Sequence, residues 1–212
     1  MAITIKSERE IELMAEAGKI LERVHNELEK ALRPGMSTKD IDTLGEEIIR
    51  SYGCIPSFLN YNGYPASICV SVNQEVVHGI PDKHRIIQEG DIVSLDAGVI
   101  YKGYHSDAAR THAVGRYAEE RGYGVVRDLC GHGIGTALHE APEIPNYEVG
   151  RKGVRLRPGM TLAIEPMINM GRPDIFVDDS NGWTIYTDDR LPSAQREIMV
   201  LVTETGHEVL AW

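Results

Sequence analysis

Cysteine is scarce in this chain of 212 residues. Cys54, Cys69 and Cys130 are far apart and form no CxxC pair. That excludes a cysteine-rich zinc knuckle and suits a reducing compartment. No run of about 18 apolar residues occurs, so no membrane-spanning helix is expected. The opening MAITIKSEREIE has no apolar signal-peptide core, and a cytoplasmic location is expected. Basic residues are in deficit: 22 Lys and Arg against 32 Asp and Glu leave a net charge of −10. A nucleic-acid partner wants a basic face, so direct nucleic-acid binding is not expected. Low-complexity linkers are absent too.

What is present is enough apolar sequence, 42%, to bury a real core. Ser7 and Glu10 form a capping box. Behind it Ile11, Met14, Ala17, Leu21, Val24 and Leu28 fall on one helical stripe that ends between Ala31 and Pro34. Ser37 caps a second helix with Ile41, Leu44 and Ile48 inward and Gly53 just past its end. Strand-like stretches follow at Ser67–Val72, Val76–Pro81 and Asp91–Asp107. Tyr117–Gly122 reads as the last turns of a helix. Tyr123–Leu129 reads as a strand running into a glycine-rich turn, CGHGIG. Further strands are expected at Met160–Met167, Trp183–Thr187, Glu197–Thr203 and His207–Leu210. The RPGM punctuation at Arg33–Met36 recurs at Arg157–Met160, and helix, Tyr-Gly, strand occurs at Ile48–Phe58 and again at Tyr117–Leu129. These echoes hint at a duplicated half.

The chemistry starts in DIVSLDAGVIYKGYHSD, residues 91–107, which reads as two strands joined by a tight turn. Val93, Leu95, Ala97 and Val99 point one way and Ser94, Asp96 and Gly98 the other. A turn centred between Tyr101 and Lys102 sets Asp96 directly opposite Asp107, at roughly 5 Å. Two carboxylates that close repel, so one keeps its proton or a cation sits between them. Gly98 and Ala109 leave room for that cation. Solvated surface acids are the plain alternative, and only further ligands overturn it.

Those ligands are available. His132 stands in GHGIG, where glycines let the backbone come close. Glu165 ends the apolar run TLAIE, and Glu197 opens EIMVLV. A carboxylate in such a run is costly to bury unless paired or bound to a metal. Four carboxylates and one imidazole make a mostly hard oxygen site, suited to Mn, Fe, Co or Zn. Four acids exceed the need of one divalent ion and suit two. Two ions about 3.5–4 Å apart activate water and polarise a carbonyl together, which points to metal-assisted hydrolysis.

The ordered set DIVSLDAGVIYKGYHSD, GHGIGTALHE, TLAIEPMI and SAQ-x-E resembles the pita-bread metallopeptidases. VVHGIP, SICVSVN and the tryptophan of NGWT narrow the resemblance to the short bacterial type I methionine aminopeptidases, over nearly the whole stretch Ile5–Leu210. It implies an α+β pita-bread fold of two pseudo-twofold duplicated halves in one catalytic domain, about 1–95 and 96–212. It implies a dinuclear metal centre with Asp96, Asp107, His132, Glu165 and Glu197 as ligands, Asp107 and Glu197 bridging. Glu165 is then also the proton carrier. His78 and His139 contact the substrate, and Tyr61, Tyr64, Cys69, Leu138 and Trp183 make the methionine pocket. His25, His84, His105, His112 and His207 match no family role. The implied activity is removal of the initiator methionine from nascent polypeptides, with ribosome association and a monomeric state as the accompanying expectations.

Two departures accompany the resemblance. The family carries a further helical block between Ala113-Val114-Gly115 and Tyr117-Ala118-Glu119, so this second half lacks most of its helices. One sheet face then loses its cover, which favours association or instability. Around Glu197, Arg196, Ile198 and Met199 replace the usual aromatic residue and His-Thr pair; strand alternation points Arg196 away from the site. Two other readings follow: a catalytically impaired peptide-binding module on the same fold, or an Xaa-Pro exopeptidase.

Overall fold

The computed structural model describes residues 3–110, 122–147, 149–150 and 153–212. The shortened junction at Gly115, His112 and all but the last residue of the expected stub Tyr117–Gly122 lie outside them. Two helices come first. α1 (Glu8–Ala31) starts at the Ser7–Glu10 capping box and α2 (Thr38–Ser51) at a matching box between Ser37 and Asp40. The α1 stripe is buried from Met14 to Leu28, with Ile11 at its edge.

Fifteen strands follow among the described residues, most of them short. β1 (Ile55–Pro56), β2 (Ile68–Val72), β3 (Glu75–Val77), β4 (Val93–Tyr101) and β5 (Tyr104–Arg110) precede residue 111. β6 (Gly124–Val125), β7 (Cys130–Gly133), β8 (Glu140–Pro145), β9 (Thr161–Ile164), β10 (Met167–Asn169), β11 (Ile175–Val177), β12 (Ile185–Thr187), β13 (Ser193–Gln195), β14 (Ile198–Val202) and β15 (His207–Ala211) follow residue 121. β4 is the centre of a four-stranded sheet, with β5 along one edge and β2 and β1 along the other. A five-stranded sheet runs β15-β14-β9-β7-β8, and two three-stranded sheets, β13-β10-β6 and β11-β12-β3, flank them. The two larger sheets are tied by backbone hydrogen bonds: Glu197 N–H donates to Ala109 O at 2.8 Å, and His105 N–H to Gly135 O at 2.8 Å.

The main core lies under α1 and α2 and reaches both sheets. Leu95, Ala97, Val99 and Ala108 meet Met14, Leu21 and Val24 there, together with Met199, Leu201 and Leu210 from the second sheet. The buried Asp42 fastens α2 to β2, its Oδ1 accepting from the N–H groups of Ser67 (2.8 Å) and Ile68 (3.1 Å). Ile198, Val200 and Val202 alternate away from this core. Val200 joins Met160 and Leu162 in a cluster that contains no helix residue among the described residues. The centre of that cluster is buried, and its rim of Ile144, Ile164, Ile198 and Val202 is half-buried. The expected bare face is thus open at its rim only.

Three local expectations are corrected. The β4–β5 turn is Lys102-Gly103, both with positive φ (51° and 88°), so Tyr101 pairs with Tyr104. This two-residue turn shifts the ladder: Asp96 lies opposite Ala109 and Asp107 opposite Gly98. The aspartates share a face as diagonal neighbours rather than a direct pair. The bare Cα of Gly98 makes room not for a cation but for Ser57 and Phe58, whose atoms lie 2.7 and 2.9 Å from where a Cβ would sit. Finally, CGHG is strand, not turn. A Cβ on Gly131 would come within 2.3 Å of Ala163 O, and one on Gly133 within 2.2 Å of Ala141 O, so these glycines serve close strand packing.

A glycine that the stripe leaves unmarked is decisive on α1. A Cβ on Gly18 would sit 1.8 Å from Leu210 O, where α1 rests on β15. Gly18→Ala should push the helix off the sheet and lower unfolding free energy by about 2–4 kcal/mol, more than the helix-propensity gain of about 1 kcal/mol returns. Denaturant unfolding of the variant beside the parent chain measures this.

Candidate metal centre

Five side chains converge where the two sheets join. Asp96 comes from the middle of β4, Asp107 from β5 and His132 from β7. Glu165 follows β9, and Glu197 precedes β14. Ligand atoms of Asp107, His132 and Glu197 lie within 4.8 Å of one another. His132 Nε2 is 3.7 Å from Glu165 Oε1 and 4.0 Å from Glu197 Oε1. Its Nδ1 faces Gly133 O at 2.9 Å. Donating there fixes the tautomer and leaves the Nε2 lone pair directed at the carboxylates, the usual arrangement of a metal-ligating imidazole. Burial holds this imidazole at a pKa of about 4, with the neighbouring His139 adding to the effect, so it is neutral at pH 7.

The carboxylates are in the opposite situation. Burial pushes Asp96 up to about 7, opposed by the nearby amide of Gln195. Asp107 and Glu197 are raised well above the usual range, by burial and then by the other acids of the cluster; Glu165 is raised by burial and by Asp96. Asp96 Oδ1, Asp107 Oδ1 and Glu197 Oε1 are buried and accept no hydrogen bond. Buried carboxylate oxygens without a donor are costly unless a cation supplies the missing partner. The donor set, four carboxylates and one neutral imidazole, fits divalent ions that prefer oxygen with some nitrogen.

The cluster floors a cavity of about 370 Å³. All twelve residues named from the sequence line it: the five above, with His78, His139, Tyr61, Tyr64, Cys69, Leu138 and Trp183. Cys69 stands opposite Asp96 in the β2–β4 ladder. Trp183 packs edge-on against Tyr64, ring centres 5.1 Å apart, and also edge-on to His78 at 6.2 Å. Tyr64 is fixed by donating to Gly79 O at 2.9 Å. His78 ends β3 in a left-handed conformation, φ 57°, that turns its ring into the cavity. Its pKa is lowered to about 4 by burial, then by His139. Tyr61 is more than a wall. Its hydroxyl lies 2.8 Å from Nδ1 of His139, whose ring centre is 4.1 Å from that of His132.

Arg196 does turn away, its guanidinium lying 5.9 Å from the Trp212 ring centre. Phe58, Asn62, Val77, Leu129 and Cys130 also line the cavity and were not anticipated. Nor was Gln195, buried beside Asp96 and Glu165 with neither amide atom in hydrogen-bond geometry. Alternation could have found two of them, since Gln195 is two residues before Glu197 and Cys130 two before His132. Phe58 and Asn62 carry no such signal. Among the histidines without a family role, His25 is wholly buried, with Nε2 2.9 Å from Ala108 O. His105 Nδ1 meets Ser57 Oγ at 3.0 Å.

Buried carboxylates gathered round an imidazole, at the foot of a side-chain-sized cavity, define a metallohydrolase. Metallopeptidase family M24 matches this chain at residues 12–121 and 112–204, and the chain belongs to that family. It is 44% identical to methionine aminopeptidase of Clostridium acetobutylicum, over 98% of both chains. That alignment runs to 246 positions against 212 residues here, so the relative carries positions without a counterpart in this chain. The fold matches that of methionine aminopeptidase from Thermotoga maritima with a TM-score of 0.93, at 38% identity and over 99% of both chains. Xaa-Pro dipeptidase from Bacillus anthracis matches less well: TM-score 0.70, 26% identity, 97% of this chain and 61% of that one. These relatives share the pita-bread fold, of which this chain keeps an α+β form. Both helices among its described residues lie in the first half.

The raised carboxylates give the metal-free protein a definite pH response. They hold protons that the unfolded chain releases near pH 4. Their contribution to stability is therefore complete below that pH and is lost as pH rises through about 7 for Asp96 and higher for the others. A divalent ion displaces those protons, so the gain in Tm on adding Mn(II) should be several degrees larger at pH 7.5 than at pH 5.5. Calorimetric scans with and without metal at the two pH values measure it.

Proposed function

We propose that this chain is a metal-dependent aminopeptidase that removes the N-terminal methionine from polypeptides whose second residue is small, working on nascent chains in the cytoplasm. The observation that carries this reading is the cavity over the carboxylate cluster. It combines five metal-binding side chains with an aromatic and thiol wall of the size and softness a thioether side chain prefers.

Asp96, Asp107, His132, Glu165 and Glu197 would hold two divalent ions, of Mn, Fe, Co or Zn. When bound, such ions supply an activated water and polarise the scissile carbonyl. The remaining work belongs to the protein. Tyr64, Cys69, Leu138 and Trp183 enclose the methionine side chain. Glu165, whose oxygen is already 3.7 Å from His132, accepts the proton of the attacking water and returns it to the leaving amine. Tyr61 donates to Nδ1 of His139, which puts the ring proton on Nε2 and makes it a donor to the developing oxyanion. His78, neutral at working pH, holds the substrate from the other side.

Methionine release from Met-Ala-Ser should require added Mn(II) or Co(II), and Ala-Pro-Ala should be a poor substrate. Cleavage of Ala-Pro-Ala alone would assign Xaa-Pro specificity, and a folded chain inactive at every metal concentration would make it a binding module. Glu165→Gln should lower kcat by about 10²–10⁴-fold with the fold intact. Tyr61→Phe keeps the ring and loses only the hydroxyl, so kcat should fall about tenfold with little change in KM. A rise in KM alone would confine Tyr61 to the pocket wall.

A further inference from the structure

A second cavity, of about 900 Å³, opens beside the first and shares Cys130, His132 and His139 with it. None of Tyr61, Tyr64, Trp183 or Cys69 lines it. Its wall is strand β8, with Glu140, Pro142, Glu143 and Pro145, faced by Ile3 and Val154. The two spaces meet at the imidazoles and diverge, one toward the aromatic wall and the other over β8. A peptide with its first side chain in the aromatic cavity and its scissile amide at the imidazoles continues into the second.

β8 is the edge strand of the five-stranded sheet. Edges accept extended peptides, but Pro142 and Pro145 remove two main-chain donors, so side chains must do more of the recognition. Two carboxylates are present. Glu140 is already neutralised: Lys6 Nζ lies 2.6 Å away, the Thr4 hydroxyl also donates to it at 2.6 Å, and the side chains of Lys6 and Glu140 are buried. Glu143 is exposed and makes no ion pair among the described residues. It pairs with His132 in the β7–β8 ladder, so the two side chains share a face, one strand spacing of about 4.8 Å apart. An extended chain advances about 3.3 Å per residue. Glu143 therefore lies about one and a half residues past the scissile amide, level with the third residue of the substrate and within reach of a long side chain on the fourth.

We propose that the second cavity receives the substrate residues beyond the second, and that Glu143 selects for lysine or arginine, and against aspartate or glutamate, at the third or fourth position. This rests on the aminopeptidase reading and extends it to the downstream sequence. A single charge contact in a solvent-filled groove changes rates about 3–10-fold at low ionic strength and is screened by salt.

The test compares kcat/KM for Met-Ala-Lys-Ser and Met-Ala-Ser-Lys with their Glu counterparts. In at least one pair the Lys peptide should be cleaved about 3–10-fold faster at low ionic strength, with the ratio shrinking in high salt. Glu143→Gln should abolish the ratio while Met-Ala-Ser turnover persists. Equal rates in both pairs, or a preference that survives Glu143→Gln, overturns the proposal. If Met-Ala-Ser itself is not cleaved, the aminopeptidase reading fails separately. Calorimetric Kd values of the same peptides then decide: tighter binding of the Lys forms that is lost in Glu143→Gln supports the role of Glu143, and equal Kd values overturn it.

Discussion

Repulsion among four buried carboxylates is the constraint on which this structure depends. Asp96 raises the cost of ionising Asp107, Glu165 and Glu197, and Asp107 and Glu165 add to it at Glu197, in a place with almost no water to screen them. A cluster of this kind survives folding only if something outside it holds the strands together. The Glu197–Ala109 backbone hydrogen bond does so directly between the two sheets that carry the cluster. α1 does so from beneath, packing on β4 and β5 of one sheet and on β15 of the other. The strain of gathering like charge is thus carried by an apolar core on the far side of the strands.

The same logic explains why small residues gather near the site. Gly131 and Gly133 flank His132 because β9 and β8 approach the β7 backbone too closely for any Cβ. Close strands bring the ligands from neighbouring strands within a few ångströms of His132 Nε2. His25 shows the cost of this arrangement on the core side. It is buried without charge, with a pKa of about 4, and its ring meets the carbonyl of Ala108, next to Asp107. That contact stiffens β5 at the residue beside a ligand, while Nδ1 is left without a partner.

The sequence made most of this legible because the constraints are local. Both capping boxes and the helix stripes are patterns of residues three and four apart, and both helices form where those patterns place them. Glu165 and Glu197 showed as unlikely acids in apolar runs, Asp96 and Asp107 as facing acids of a hairpin and His132 among its glycines; the other seven site residues came from the family resemblance alone, and all twelve reach one cavity. What stayed hidden depends on register or on distant partners. The Asp96–Asp107 geometry turned on a turn one residue later than expected, because Lys102-Gly103 accepts two positive φ angles. The glycines of CGHG read as a turn because glycine signals both turning and close packing, and only the partner strand tells them apart. The short strands β1, β11 and β13 carry too few residues for a period. The link from Tyr61 to His139 spans 78 positions, with nothing local to announce it.

The shortened second half bears on stability more than on chemistry. The two stretches matched by family M24 overlap at 112–121, where the sequence also departs from its relatives. All five residues of the carboxylate–imidazole cluster lie on strands or strand ends outside that stretch, and β14, β9 and β7 of the five-stranded sheet are paired on both edges without it. Sheet faces divide the burden. Met199, Leu201 and Leu210 point inward and anchor the sheet to α1, whereas Ile198, Val200 and Val202 point outward to a cluster with no helix residue. The inward face positions Glu197 and, through the β9–β14 ladder, Glu165. Apolar cover on the outward face adds free energy to the fold at about 25 cal/mol per Å², but it does not set the ligand positions. A chain can therefore lose cover on that side and pay in unfolding free energy while the geometry at the metal centre persists, because the bonds that set it run through the opposite face.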